Sequence, residues 1–288
     1  MALEIMTLNV CGGFGEEGSA RGLIDKISHE WRPDFAVFPE AFKDGDTAQL
    51  DLIFEDLGAA GYNPSYAPYY DTDGRSDQNG ILTVARDSTV KTYEQPTLTP
   101  VTMRLATRTA IQQWLTDPET GQDVQAIGLH LDDRTERGRL EQVHALVEQI
   151  DLTRPTIVSG DFNATFLRDT WSSGKVQLAR AAWPFAQLPF VPNNEPTGET
   201  MTGLGRKVNQ LDRAARMTSG RTMRALTRAG LHDTVPDRQP TFPADAPFLR
   251  LDYILASPHF MTMESMVAPA DPLGDHRRVV ARLALTTA

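Results

Sequence analysis

Residues 156–164 read TIVSGDFNA: a short, mostly β-branched run that gives way at a glycine to Asp161 and Asn163. A run this short suits a buried strand rather than a helix. The same arrangement, an apolar run with a polar group at its end, recurs along the chain. Residues 3–10 alternate loosely and end at Asn9 and a glycine pair, and Phe35–Phe38 end at Pro39-Glu40. Residues 107–115 and 123–131 are two strand-like runs joined by the turn sequence DPETG, and the second carries His130 near its end. A strand near Leu251–Leu255 contains Asp252, and Asp275-His276 precede a last strand at Arg277–Leu285.

Helical patterns lie between these strands. Leu23, Ile24, Ile27 and Trp31 form one stripe over 21–31, residues 46–59 read as helix, and 136–150 form an amphipathic helix through Leu140, Val143, Leu146, Val147 and Ile150. Interleaved strands and helices predict an α/β or layered α+β fold. No repeat, low-complexity tract or linker divides the chain, so a single domain over 1–288 is expected. Two stretches read as irregular: 61–79, with four of the six tyrosines, and 184–205, rich in Pro, Asn, Gly and Thr. The tyrosine stretch either stacks nucleic-acid bases or packs.

With 288 residues, 40% hydrophobic and 23% charged, the chain can bury a sizeable core without staples. Its one cysteine, Cys11, excludes an internal disulfide and a cysteine-cluster zinc site, and suits a reducing compartment. No run approaches 18 apolar residues, and MALEIMTLNV lacks the marks of a signal peptide, so a cytoplasmic protein without membrane partners is expected. The net charge of −10 argues against gripping long nucleic acid through overall positive charge. Locally the sign reverses. Residues 202–231 carry Arg206, Lys207, Arg213, Arg216, Arg221, Arg224 and Arg228 against Asp212 alone. Such a segment attracts a phosphate-bearing ligand or is a solvated helix and loop.

A carboxylate after a strand is commonly a cap or turn former, and a lone histidine is commonly structural. Here Asn9, Glu40, His130, Asp161, Asn163, Asp252, Asp275 and His276 all fall at strand ends. In layered sheets such ends converge on one edge, where ligands bind. Oxygen donors with few carboxylates suit Mg²⁺, which keeps several waters and shares substrate phosphate oxygens. Two histidines add proton transfer or charge stabilisation near neutral pH.

The ordered set LNVCGG, PEAF, GLHLDD, SGDFNA, LDYI and GDHRRV resembles the endonuclease/exonuclease/phosphatase superfamily of metal-dependent hydrolases, from Asn9 to His276. The resemblance implies a four-layer sandwich, two mixed β-sheets face to face with helices outside. It implies Glu40 as the principal Mg²⁺ ligand (Mn²⁺ an acceptable substitute), with Asn9 and Asp275 beside it. Asp161 would orient or deprotonate the attacking water, and Asn163 would hold phosphate and water. His276, kept cationic by Asp252, would bind the scissile phosphoryl oxygen. His130 would take the position of the phosphate-contacting or acid histidine of DNase-like members. One departure is that Asn79, in QNGILTVAR, stands where those members carry the acidic partner of that histidine. An insertion at about 165–235 matches no subfamily's substrate element.

Other polar residues have plainer readings. Cys11 reads as a small buried hydrophobe, Asp132 or Asp133 as the cap of the following helix, and His232-Asp233 as a helix-exit turn. Arg139 either reaches a phosphate or pairs with a carboxylate, the ion pair being favoured; with Asn79, Arg213 and Arg216 it is a candidate substrate contact. The expected function is Mg²⁺-dependent phosphodiester hydrolysis of nucleic acid, short or single-stranded rather than long duplex, or of a nucleotide-like substrate. The alternatives are a phosphomonoesterase or lipid-headgroup phosphodiesterase, and a scaffold without chemistry.

Overall fold

The computed structural model describes residues 2–11, 20–41, 47–70, 76–92, 108–133, 135–166, 220–236 and 238–286. Two six-stranded sheets form its centre. The first contains β1 (Leu3–Thr7), β2 (Phe35–Ala41), β3 (Tyr62–Tyr70), β4 (Ser76–Arg86), β11 (Phe260–Val267) and β12 (Val279–Leu285), in the order β11-β12-β1-β2-β4-β3. The second contains β5 (Val90–Thr92), β6 (Ile111–Thr116), β7 (Asp123–His130), β8 (Thr156–Asp161), β9 (His232–Asp233) and β10 (Asp252–Ala256), in the order β5-β6-β7-β8-β10-β9.

Period-two alternation assigns each strand residue to a layer. Leu3, Ile5, Phe35 and Val37 of the first sheet share one buried cluster with Val124, Ala126, Ile157 and Ile254 of the second. The intervening Met6, Ala36 and Phe38 pack instead on Leu23, Ile27, Ile53 and Leu57, from α1 (Ala20–Asp25), the π-helical turn Lys26–Trp31 and α2 (Thr47–Ala59). Ile127, Val158 and Tyr253 do the same against Val143, Leu146, Met223 and Leu226 of α3 (Glu136–Gln149) and α4 (Arg221–Arg228). The central strands are therefore covered on both faces, which is why they read as near-continuous apolar runs. Each buried Val, Leu, Ile, Phe or Met among them stabilises the fold by about 1.5–3 kcal/mol relative to exposure. This is the expected four-layer sandwich. Gly128 marks close approach between the sheets, since a Cβ there would lie 2.5 Å from Thr83 Cγ2.

Each sheet holds one parallel pair, β1–β2 in the first and β7–β8 in the second, and both are flanked by antiparallel neighbours. The carboxyl ends of all four parallel strands thus reach one edge, as do the amino ends of β4, β10 and β12. Along the inward face toward that edge, aliphatic side chains give way to polar ones: Leu3, Ile5, Thr7, then Asn9; Ile157, Ser159, then Asp161.

Several local expectations change. Residues 61–79 form, over 62–70 and from 76 on, the paired strands β3 and β4 rather than a long loop. Pro64 and Pro68 fit because β3 is an edge strand, where one side needs no ladder donors. Tyr62 and Tyr66 pack on the helical layer and Tyr69 on the inter-sheet core. The cap of α3 is Thr135, whose Oγ1 accepts from Gly138 N at 3.0 Å; Asp132 acts one step back, accepting from Thr135 N. His232-Asp233 is β9, beyond the helix exit, where Asp233 pairs with buried Arg250 at 2.7 Å. Cys11 is exposed, in the left-handed region at φ 50°. Most of the expected insertion lies outside the described residues; its end is α4 and β9.

Candidate active site

β1 and β8 end facing each other across the sheets. Asn9 Nδ2 donates to Asp161 Oδ2 at 3.0 Å and to Glu40 Oε1 at 3.2 Å, while Asn9 Oδ1 accepts from Cys11 N at 2.9 Å. One amide therefore spans a carboxylate from each sheet. Glu40 comes to the edge by an irregularity. Alternation from Phe35 and Val37 would send its side chain toward the helices, but a register shift between Pro39 and Ala41 and a left-handed φ of 56° re-aim it. A non-glycine residue there costs of order 1–3 kcal/mol, held by the surrounding structure.

Asp161 is fully buried. Its Oδ1 accepts from Asn163 N at 2.8 Å, and the chain turns back there through Asn163 at φ 46°. Gly160 before it adopts φ 144°, where a Cβ would lie 1.9 Å from Leu129 O, so only glycine fits. Asp252 stands directly opposite Asp161 in the β8–β10 ladder. Burial, and then the charge of Asp252, push the Asp161 carboxyl up to about 7.

His276 meets Asp252 through Nδ1 at 2.7 Å, and its Nε2 lies 3.8 Å from Asp275 Oδ1. The Phe242 ring packs 4.7 Å from the imidazole. Burial opposes the charged imidazolium, but Asp252, with Asp161 and Asp275 further off, overcomes it and raises the pKa to about 10. His276 is thus a cation at neutral pH.

His130, in register with Asp161, is buried and has both ring nitrogens engaged within the protein. Nδ1 is 2.8 Å from Tyr69 Oη and Nε2 is 2.9 Å from Asn163 Nδ2. Nε2 also lies 3.7 Å from both Glu40 Oε1 and Asp161 Oδ2. Burial, then the charges of Arg108 and His276, drive its pKa well down, so the ring is neutral.

The edge therefore brings together Asn9, Glu40, His130, Asp161, Asn163, Asp252, Asp275 and His276. The other candidates differ. Arg139 is fully buried and pairs with Glu136 at 3.0 Å and with the Asp132 carbonyl at 2.9 Å, the ion-pair reading rather than a substrate contact. Asn79 lies in β4 at this edge, since Gly80 pairs with Ala41, but its side chain is outside the described residues, as are Arg213 and Arg216. Arg221 begins α4 near Glu136, whose Oε1 accepts from Thr222 N, whereas Arg228 lies toward the opposite end. Tyr69 was not anticipated; nothing in its neighbourhood of tyrosines and prolines singles it out.

A divalent cation fits this donor set. Asp161, Asp252 and Asp275 surround the His276 imidazolium, Glu40 lies beside His130 and Asp161, and among the described residues the buried Asp252 Oδ1 and Asp275 Oδ1 have no hydrogen-bond partner. Two clusters offer atoms within 4.8 Å of one another: Glu40, His130 and Asp161, and Asp161, Asp252 and His276. Hard oxygen donors of this kind suit Mg²⁺- or Mn²⁺-like ions better than softer metals.

A two-sheet sandwich with acidic, amide and imidazole groups at one shared edge defines a hydrolase site built to handle a phosphorylated centre. The sequence matches the Endonuclease/Exonuclease/phosphatase family over residues 6–276, and the chain belongs to that family of phosphoric ester hydrolases. Solved structures agree in fold. The endonuclease/exonuclease/phosphatase from Bacteroides vulgatus superposes with TM-score 0.66 at 15% identity, covering 99% of this chain and 100% of that one. The protein of that description from Beutenbergia cavernae gives 0.64 at 21% identity, covering 98% and 71%. The Bacteroides thetaiotaomicron mannosyl-6-phosphatase gives 0.59 at 16%, covering 99% and 100%. No curated protein matches the sequence.

Proposed function

We propose that this chain is a Mg²⁺-dependent phosphoesterase that hydrolyses phosphodiester bonds in nucleic acid or a smaller nucleotide-like substrate. The observation that carries it is the pairing, on one edge, of a fixed carboxylate with a buried imidazolium: Asp161, held by Asn9 and Asn163, beside His276, held by Asp252. The barrier in phosphoester hydrolysis is charge build-up around phosphorus, and preorganised positive charge lowers it. Glu40, Asn9 and Asp275 would hold the Mg²⁺, which when bound withdraws charge from a phosphoryl oxygen.

His276 presents Nε2–H to a second phosphoryl oxygen while Asp252 keeps the ring charged and oriented. Asp161 orients the attacking water and takes its proton at Oδ2, the oxygen that Asn9 also touches. Substrate size follows from charge. A chain of net −10 whose strongly basic segment is 202–231 suits a short or single-stranded ligand better than a long duplex. The single cysteine suits a reducing compartment such as the cytoplasm; among the described residues no helix is long and apolar enough to cross a membrane.

A panel of single- and double-stranded DNA, RNA, abasic DNA, bis-p-nitrophenyl phosphate and p-nitrophenyl phosphate, with and without Mg²⁺, tests this reading. Mg²⁺-dependent cleavage of the diesters supports it. Turnover of the monoester alone would favour a phosphomonoesterase, and no turnover of any would favour the scaffold.

A further inference from the structure

Tyr69 has no part in the mechanism above, yet it is fully buried at the site edge and touches both sheets. Its Oη lies 2.8 Å from His130 Nδ1, and the Arg108 guanidinium stacks 4.4 Å from its ring. The polarity of this network can be read outward from one atom. Leu131 O, 2.9 Å from Asn163 Nδ2, can only accept, so the nitrogen end of the Asn163 amide faces it. The second hydrogen of that nitrogen points at His130 Nε2, which must therefore be the bare nitrogen. His130 then carries its proton on Nδ1 and donates it to Tyr69 Oη.

We infer that Tyr69 is a positioning residue that, together with Asn163, holds His130 in its Nδ1–H tautomer: Asn163, oriented by Leu131 O, occupies the bare Nε2, and Tyr69 Oη accepts the Nδ1 proton. With both amide hydrogens held by His130 and Leu131, Asn163 offers Oδ1, an acceptor suited to a water rather than to a phosphate oxygen. Tyr69 thus fills from β3 the partner role for His130 that Asn79, one strand away, does not supply as an acid. Only the kinetic part of this inference rests on the phosphoesterase reading.

The test is ¹⁵N-histidine labelling with long-range ¹H–¹⁵N correlation at neutral pH, His130 being assigned by loss of its signals in His130→Gln. Wild type is expected to show a protonated Nδ1 and a bare Nε2. Tyr69→Phe keeps the ring under Arg108 but removes the acceptor, and is expected to move His130 toward the Nε2–H form. Activity should then fall about tenfold or more in kcat with KM little changed. Asn163→Asp, which replaces the donor facing Nε2 by an acceptor, should switch the tautomer in the same direction. An Nε2–H or doubly protonated His130 in wild type overturns the inference without any variant, and so does an unchanged tautomer in Tyr69→Phe. If the tautomer shifts as expected but wild type cleaves no phosphate ester, the positioning role stands and the phosphoesterase reading falls.

Discussion

Asp161 and Asp252 face each other directly across the β8–β10 ladder, two buried carboxylates in register. Like charges so placed destabilise a sheet unless something offsets them, and here the offset is the His276 imidazolium, 2.7 Å from Asp252. Removing it with His276→Ala should cost about 3–5 kcal/mol, the usual penalty for leaving a buried charge without its partner. Adding Asp252→Asn to that variant should recover part of the loss. A double-mutant cycle by chemical denaturation checks this, and strict additivity would show that the pair is not coupled.

The same pair gives a pH dependence. Burial opposes the His276 charge, Asp252 more than compensates, and the ring titrates at about 10 in the folded protein against 6.5 in the free state. Its stabilisation is fully present below pH 6.5 and is lost as pH rises toward 10. Thermal unfolding of protein stripped of divalent cations should show this decline over pH 6.5–10 in wild type, and a smaller decline in His276→Gln.

Glu40→Gln should leave the fold intact, because the Glu40 side chain is 31% exposed and the amide keeps its shape, yet abolish most Mg²⁺-dependent turnover. Isothermal titration with Mg²⁺ and a substrate assay in parallel would show it. Wild-type turnover by the variant in EDTA would refute the metal assignment.

For Asp161→Asn the activity and stability effects should part company. Losing the group proposed to orient and deprotonate water should lower kcat by at least about 10²-fold. Neutralising a buried carboxylate opposite Asp252 should leave the melting temperature of cation-free protein unchanged or higher. A fall in both would mark Asp161 as structural.

Asp233→Ala supplies the contrast. It strips Arg250, 1% exposed, of its carboxylate partner, so a loss of about 3–5 kcal/mol is expected. The activity of the folded fraction, measured by active-site titration at low temperature, should hold, because β9 joins β10 at the end away from the site.

Much of the site could be read from sequence because strand parity carries it. Asn9, His130, Asp161 and Asp252 each lie an even number of positions from an inward-facing aliphatic residue of the same strand: Ile5, Ala126, Ile157 and Ile254. Glu40 breaks that rule, and only a bulge with a left-handed residue explains its place, a feature no alternation pattern encodes. The β3–β4 hairpin was obscured by Pro64 and Pro68, which are tolerated solely because β3 is an edge. β11 carries no clean strand pattern, because its outward positions Met261, Met263 and Met266 are exposed methionines and a bulge between Thr262 and Glu264 breaks its period. The pairing of Tyr69 with His130 spans 61 residues and depends on how two sheets stack, which local pattern does not report.

Gly128 sets the spacing between those sheets, and the site straddles them. Asn9 and Glu40 hang from one sheet, His130 and Asp161 from the other, so the distances among them act as a gauge of how far apart the sheets sit. A methyl group added at Gly128 would press on Thr83 and Val37, one inward-facing position below His130 on β7. The sheets could answer only by parting, and the Asn9–Asp161 and Glu40–His130 spans would lengthen together. In this architecture the core is the jig that holds the chemistry to tolerance, and residues with no polar atom to offer a substrate can detune it.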